Sequence, residues 1–182
     1  MCVRGRNRHG GILGPIRFRP IAIAPRPAHH GIDGRPNTAV MNSGREVTYM
    51  NVFVYGTLTD HERADEVLSE YDFRGSALLE GLHRVDGTYP TLAPGGRVAG
   101  RLLATAEIDR LDRYEGVERG LHVCLAVPIA DGSTAPNGSD TVAVYVGDPT
   151  ALGADTRWPG RGSFGERVER YVREHAVTVR LH

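Results

Sequence analysis

The chain has 182 residues, a formal net charge of zero, 40% apolar residues and 24% charged residues. This is the composition of an ordinary soluble globular domain, and no apolar run approaches the roughly 20 residues of a transmembrane helix. The two cysteines, Cys2 and Cys124, are too few for a disulfide-rich scaffold and form no C-x-x-C pair. A zinc ribbon and a thioredoxin-like redox site are therefore excluded.

The charge is distributed unevenly along the chain. Residues 1–49 carry eight Arg against two acidic residues, whereas residues 50–182 carry fourteen Arg against twenty acidic residues. The first segment also holds seven Gly and five Pro without a helical or alternating apolar period. Such a segment cannot bury enough surface to offset its chain entropy. We predict a basic, disordered extension over 1–49 and one folded domain over 50–182.

Three interpretations of the extension compete. A basic arm that binds nucleic acid or acidic lipid is disfavoured because its charges are dispersed. A targeting peptide is disfavoured because four prolines between Pro15 and Pro27 would break an amphipathic helix. We favour the third, in which translation begins at Met41 or Met50, since Met50 directly precedes a strong strand signal.

The first predicted elements of the folded part are a strand and a helix. Residues 51–55 are mostly β-branched or aromatic, which is typical of a strand, and Gly56 ends it. Thr59 and Glu62 have the spacing of a capping box, which predicts a helix over about 60–71.

Strands and turns follow in the middle of the chain. A strand is predicted over 75–85, with a turn at Asp86-Gly87. A short extended piece over 89–92 then precedes a turn at Pro94-Gly95-Gly96, and residues 98–105 form the next strand.

A short helix is predicted over 107–115. Thr105 can cap it, and Gly116 can end it in the left-handed conformation. Ile108 and Leu111 have the spacing of core-facing residues.

Ser163 and Glu166 form a second capping-box pair in the last part of the chain. The remaining predicted elements are strands over 121–129 and 141–146 around a turn at 136–138, a helix from 163 to about 174, and a last strand over 176–181. Short strands separated by turns, with dispersed helices, indicate an α+β fold rather than a doubly wound sheet.

The turn after the first strand is one candidate site. A strand that ends at Gly56 and leads into a helix presents unpaired backbone N–H groups, which suit a carboxylate or an oxyanion. Glycine also lets a ligand approach the backbone closely. The alternative is a purely structural turn in which glycine is required by its dihedral angles.

Glu115 is the second candidate. It lies at the C-terminal end of a predicted helix, where the helix dipole disfavours a carboxylate, and Asp112 lies one turn before it. Both effects would raise its pKa towards that of a general base. The alternative is a solvated carboxylate paired with Arg113 or Arg119.

Other polar residues give weaker signals. Cys124 is expected to be a buried apolar side chain, Ser163 is better explained as a helix cap than as a nucleophile, and Trp158 belongs to a loop that could border a pocket. No metal-ligand spacing connects the scattered histidines His61, His83, His122 and His175.

Several motifs occur together in a recognisable order. Residues 52–58 read V-F-V-Y-G-T-L, residues 89–92 read Y-P-T-L, and residues 111–116 read L-D-R-Y-E-G. With Gly81-Leu82, Val98-x-Gly100-x-Leu102 and the strand over 142–146, they resemble the γ-glutamylcyclotransferase-like superfamily. The resemblance covers about residues 51–147, in the branch of avirulence-induced plant proteins and γ-glutamylamine cyclotransferases.

The resemblance implies a fold, a site and a reaction. The fold would be a small twisted mixed β-barrel flanked by short helices. The α-amine of a γ-glutamyl substrate would attack its own γ-carbonyl, giving 5-oxoproline and a free amine or amino acid. Glu115 would be catalytic without a metal or cofactor, and the substrate would be bound by Tyr55, Gly56, Thr57, Leu58, Tyr89 and Tyr145.

The sequence departs from the family pattern at two places. Thr59-Asp60 follows Y-G-T-L where many relatives have Gly or a basic residue, and His122 and Cys124 stand where many relatives have an aromatic residue and an Arg. These changes leave open a non-catalytic member that binds a small anion or a γ-glutamyl ligand. We expect a cytoplasmic monomer or homodimer that acts on small molecules and binds neither nucleic acid nor membranes.

Overall fold

The computed structural model describes residues 48–130, 135 and 138–182. The helices of this part are α1 (His61–Val67), α2 (Ile108–Glu115), α3 (Pro149–Leu152) and α4 (Phe164–Glu174), with 3₁₀ turns at Gly56–Thr59 and Val117–Arg119. The strands are β1 (Met50–Val54), β2 (Tyr71–Val85), β3 (Thr91–Thr105), β4 (His122–Pro128), β5 (Thr141–Gly147) and β6 (Thr178–Leu181). None of these helices has the length and apolarity needed to cross a membrane.

The strands form one mixed sheet in the order β4-β5-β1-β3-β2-β6. β1 pairs with β5 in parallel, and the other neighbouring pairs are antiparallel. The two edges of the sheet approach each other, because Ile129 after β4 bridges Val179 of β6 and the N–H of Ala130 donates to the Val179 carbonyl at 2.8 Å. The sheet therefore curls into a half-barrel with a few short helices, which confirms the predicted α+β class and mixed barrel-like fold.

Apolar side chains fill both faces of the curled sheet. Along β1, Phe53 faces a cluster that includes Leu79, Leu102 and Val168 of α4. Its neighbours Val52 and Val54 face the other side. There they pack with Leu58, Leu103 and Leu111 of α2. The alternation follows from the two-residue repeat of a strand, and it fixes α2 and α4 on opposite faces.

The turn predicted at Pro94-Gly95-Gly96 is wrong. β3 continues through these residues, and its pairing with β2 jumps from Glu80↔Arg97 to Leu82↔Pro94. The two glycines therefore form a bulge opposite Gly81, with φ angles of 88° and 72° at Gly95 and Gly96. A positive φ is available to glycine at little cost in either a turn or a bulge, so the local signal does not distinguish them.

The helix predicted over 60–71 is also shorter than expected. It ends at Val67, and Tyr71 already begins β2. Its cap is Asp60, whose carboxylate accepts from the N–H of Glu62 at 3.0 Å. The Thr59 hydroxyl instead donates to the Gly56 carbonyl at 2.6 Å, because Thr59 is the last residue of the preceding 3₁₀ turn.

The C-terminal part matches the prediction more closely. α4 begins with the Ser163–Glu166 capping box that the spacing predicts. Trp158 is 3% exposed and packs against Phe164 and Tyr171, so its side chain belongs to the core. α3, which is capped by Asp148, was not predicted.

Two sequence predictions concern residues outside the described ranges. The predicted extension lies there except for Thr48 and Tyr49, and so do positions 136 and 137 of the predicted turn.

Candidate active site

The sheet topology brings four chain segments together at one end of the molecule. β1 and β5 are parallel, so their carboxyl ends lie side by side, and antiparallel β4 begins there with His122 opposite Gly147. The 3₁₀ turn after β1 and the C-terminal end of α2 complete the wall. Between them lies a cavity of about 360 Å³, a volume in the range of small-molecule sites.

The structure collects most of the predicted site residues in this cavity. Its lining includes Tyr55, Thr57, Leu58, Tyr89, Glu115 and Tyr145. Gly56 lies in an adjacent groove that shares Thr57 and Pro90 with the cavity. The motifs are thus neighbours in space although they are up to 90 residues apart in sequence, and the roles of their residues remain predictions.

Glu115 is the last residue of α2, and Gly116 ends the helix with a φ of 67°. Only 17% of the Glu115 side chain is exposed. Burial raises the pKa of its carboxyl to about 7, because the charged form loses its hydration. The direction agrees with the expectation, but the cause is burial and not the neighbouring Asp112. The alternative of a solvated carboxylate paired with Arg113 or Arg119 is wrong, because within the described residues the basic side chain beside the Glu115 carboxyl is that of His122. The Arg113 side chain donates to the Asp109 carbonyl.

Asp112 has a structural partner. The Tyr145 hydroxyl donates to the Asp112 carboxylate at 2.7 Å, and the Tyr55 hydroxyl donates to the Tyr145 carbonyl at 3.1 Å. Burial is the largest cause that raises the pKa of both phenols, which keeps them protonated as donors. These bonds attach α2 to β5, and β5 to the residue that follows β1, so they hold Glu115 against the cavity.

The 3₁₀ turn after β1 is held by its glycine conformation and by a hydrogen bond from β3. Gly56 has a φ of 76°, and a side chain there would meet no atom within 4 Å, so glycine is required for its backbone conformation rather than for space. The Arg101 guanidinium donates to the Thr59 carbonyl at 2.9 Å. The first N–H groups of a helical turn have no partner within it, and here they belong to the segment that borders the cavity.

His122 also lines the cavity, although the sequence analysis gave it no role. Its Nδ1 lies 2.6 Å from the Glu115 carbonyl oxygen, and its Nε2 lies 3.4 Å from Oε2 of the Glu115 carboxyl. A carbonyl only accepts, so Nδ1 carries the proton and, in the neutral ring, Nε2 is an acceptor. Burial lowers the pKa of His122, and the bond to the Glu115 carbonyl acts in the opposite direction. The departure from an aromatic residue at this position was the available signal.

The other weak candidates take no part in the cavity. Cys124 is half-buried in β4 and packs against the cluster behind β1. His83 faces the bulge, with Nδ1 3.0 Å from the Gly95 carbonyl. In the part of the chain that the structure describes, no three His, Cys, Asp or Glu side chains are grouped closely enough to hold a metal ion.

Comparisons with known proteins agree with the motif pattern. Residues 52–161 match the model of the family described as "Gamma-glutamyl cyclotransferase, AIG2-like". None of the curated protein sequences matches the chain. Because the family model spans more than half of the sequence, the chain belongs to this family.

Solved structures of related shape are more distant. A structure named "Gamma-glutamyl cyclotransferase" is 17% identical with a TM-score of 0.46, covering 69% of this chain and 79% of the other. A Homo sapiens protein, loc79017, has the same identity and TM-score and covers 68% and 98%. The Arabidopsis thaliana protein At3g28950.1 is 23% identical with a TM-score of 0.45 and covers 74% and 82%.

Proposed function

We propose that this member of the gamma-glutamyl cyclotransferase, AIG2-like family is a cofactor-free γ-glutamylcyclotransferase. It would convert a γ-glutamyl amide into 5-oxoproline and a free amine or amino acid. The observation that carries the proposal is the Glu115 carboxyl, which is buried beside a cavity of about 360 Å³ and has a pKa of about 7.

The reaction needs little from the protein beyond folding the substrate and moving protons. The nucleophile, the α-amine, and the electrophile, the γ-carbonyl, belong to the same molecule. Holding them in an attack conformer supplies much of the acceleration available to an intramolecular reaction. A small cavity with rigid walls serves this purpose, and the braced turn and the Tyr145–Asp112 bond provide such walls.

Glu115 would serve as the general base and then as the general acid. The α-ammonium of the substrate is inert until it loses a proton, and the leaving nitrogen must gain one. A group whose pKa lies near 7 can perform both transfers at neutral pH with little penalty in either direction. An exposed glutamate would be a much weaker base and a poor acid at this pH.

The remaining cavity groups would bind and orient the substrate. The N–H groups at the start of the 3₁₀ turn, which have no partner within the turn, are suited to the substrate carboxylate or to the developing oxyanion. The Arg119 guanidinium on the cavity wall is a cation that can pair with the substrate carboxylate. Tyr89 and Tyr114 also line the cavity, and they remain 65% and 44% exposed. The two tyrosines would contact the departing amine.

The test is production of 5-oxoproline by the purified chain. Wild type and Glu115→Gln would be incubated with a panel of γ-glutamyl amines and γ-glutamyl dipeptides, and product measured by mass spectrometry. We expect kcat to fall by about 10²- to 10⁴-fold in Glu115→Gln, the range typical of a lost general base. Glu118→Gln is the matched control, because Glu118 is an exposed acid three residues further on, and it should retain full activity.

The two functions left open by the sequence give different results. A folded wild-type protein that makes no product from any substrate, but whose melting temperature rises with a γ-glutamyl ligand, is the non-catalytic binding member. Equal turnover by wild type and Glu115→Gln would contradict the role of Glu115 while leaving the activity in place.

A further inference from the structure

His122 and Glu115 face each other inside the cavity, and the contact is defined at both ring nitrogens. Nδ1 is 2.6 Å from the Glu115 main-chain carbonyl, while Nε2 is 3.4 Å from the carboxyl of the same residue. The main chain that positions the carboxyl thus also selects the tautomer of the ring. Both side chains are largely buried, with 12% and 17% of their surfaces exposed.

Glycine at position 147 makes this arrangement possible. A Cβ at Gly147 would lie 2.2 Å from Cδ1 of Leu152, 2.9 Å from the Thr91 hydroxyl oxygen and 3.0 Å from Nε2 of His122. The Thr91 hydroxyl itself is bonded to the main chain of Gly147, donating to its carbonyl and accepting from its N–H, both at 2.9 Å. A residue with a side chain at position 147 would crowd Leu152, Thr91 and the imidazole.

The reaction proposed above moves two protons, which one carboxylate cannot hold at once. The α-nitrogen begins as an ammonium with three protons and ends as a lactam nitrogen with one. The leaving nitrogen begins as an amide with one proton and ends as an ammonium with three. The new bond joins the α-nitrogen to the γ-carbon, and the bond from that carbon to the leaving nitrogen breaks, so no oxidant or co-reactant is needed.

We propose that His122 holds the second of these protons, so that Glu115 and His122 act as a proton-sharing pair. This inference rests on the proposed function. Glu115 takes the first proton from the α-ammonium and passes it to Nε2 of His122. The deprotonated Glu115 carboxylate then takes the second proton as the bond between the α-nitrogen and the γ-carbon forms. Both protons then return through Glu115 to the leaving nitrogen.

The surroundings decide where the proton rests. Burial raises the pKa of Glu115 and lowers that of His122, so a neutral acid facing a neutral imidazole is favoured over the ionised pair, and a proton passed to Nε2 returns readily to the carboxylate. The other titratable or charged side chains around the cavity are Tyr55, Tyr89, Tyr114, Arg119 and Tyr145. Asp112 is bonded to Tyr145, and the raised pKa values of Tyr55 and Tyr145 keep these two phenols out of the exchange at neutral pH.

Kinetics of His122→Gln and His122→Ala test the role in the reaction. Gln can offer a hydrogen bond to the carboxyl but cannot carry a proton, so kcat should fall by roughly 10²-fold while KM changes little. In His122→Ala, added imidazole should restore part of kcat, because a small base can occupy the space left in the cavity. His83→Ala is the matched control, since His83 also has Nδ1 against a main-chain carbonyl, and its activity should be unchanged and insensitive to imidazole.

A measurement without substrate separates this inference from the proposed function. Nitrogen-15 NMR of labelled histidine should show His122 as the Nδ1–H tautomer, and its titration should shift in Glu115→Gln. An unchanged titration would overturn the pair whatever the activity. So would full activity of His122→Gln, or a loss of activity in His122→Ala that imidazole does not restore. A shifted titration in a protein that makes no 5-oxoproline would instead overturn the cyclotransferase function, and the relay with it.

Discussion

Helices α2 and α4 are both short and amphipathic, yet they are built by different means. α4 is capped locally by the Ser163–Glu166 box and buries Val168 and Val172. The residue before α2, Glu107, makes no cap bond with its own side chain, although its N–H donates to the hydroxyl of the predicted cap, Thr105, at 3.0 Å. The Glu107 carboxylate accepts from the N–H groups of Ser69 and Glu70 in a distant segment. The start of α4 is thus fixed by its neighbours in sequence, whereas the start of α2 is also held by residues that are distant in sequence.

The difference matters because α2 carries the reacting group. Its buried residues include a carboxylate, Asp112, that accepts from the Tyr145 hydroxyl, and it ends at the largely buried Glu115. A buried carboxyl lowers stability, so the surrounding sheet must hold the helix in place. α4 has no such group and contributes to the core alone.

The largest expected effect comes from emptying the core beneath each helix. Leu111 of α2 and Val168 of α4 are both fully buried. Leu111→Ala should lower the free energy of unfolding by about 2–5 kcal/mol and Val168→Ala by roughly 2 kcal/mol, as measured by urea denaturation. Only Leu111→Ala should also reduce kcat, because it displaces Glu115. An equal loss of kcat in both variants would remove the distinction between the helices.

The next effect is a pair of opposite pH dependences. The folded protein holds the Glu115 proton at a pKa of about 7, against the usual value of 4.5. Between pH 4.5 and about 7 the folded state holds a proton that the unfolded state has lost, so raising the pH through this range lowers the free energy of unfolding, by about 3 kcal/mol in total. Comparing wild type with Glu115→Gln between about pH 5 and 8 isolates this slope.

Glu166 of α4 gives the opposite sign. Hydrogen bonds from the main chain and side chain of Ser163 lower the pKa of its carboxyl. Its contribution to stability is therefore present above the unfolded pKa and is lost as pH falls through the folded one. Difference curves of the same sign for Glu115→Gln and Glu166→Gln would contradict the assigned environments.

What the sequence can predict follows the same division. The Ser163–Glu166 spacing predicts α4 because the cap is complete within four residues. The pKa of Glu115 was expected to rise, but from local causes, whereas the actual cause is burial by residues from β1, β4 and β5. The contact of His122 with Glu115 depends on β4 starting opposite the end of β5. The pattern of residues within β4 does not contain that information. The bulge at Gly95 and Gly96 was missed because glycine takes a positive φ in a turn and in a bulge alike, and only the pairing with β2 distinguishes them.

A smaller effect should follow from Tyr145→Phe. This change removes the hydroxyl that donates to Asp112 at 2.7 Å while keeping the ring in place. The buried carboxylate loses a donor, which should cost about 1–3 kcal/mol of stability by urea denaturation. Tyr171→Phe is the control in α4, since within the described ranges the Tyr171 hydroxyl has no hydrogen-bond partner and its ring packs against Trp158 and His175. Equal costs in the two variants would show that the Asp112 bond contributes nothing specific to α2.

The smallest effect is expected where the structure is most local. Ser163→Ala removes the side-chain oxygen that accepts from the Glu166 N–H, and it should cost about 1 kcal/mol. Thermal denaturation should register this loss, while kcat for any γ-glutamyl substrate should stay at the wild-type value, because α4 lies on the face of the sheet opposite α2. Ser163→Asp keeps an acceptor at the cap and should recover most of the stability. If Ser163→Ala instead lowered kcat as Leu111→Ala does, the two faces would be coupled through the sheet, and α4 would have to be counted among the elements that position Glu115.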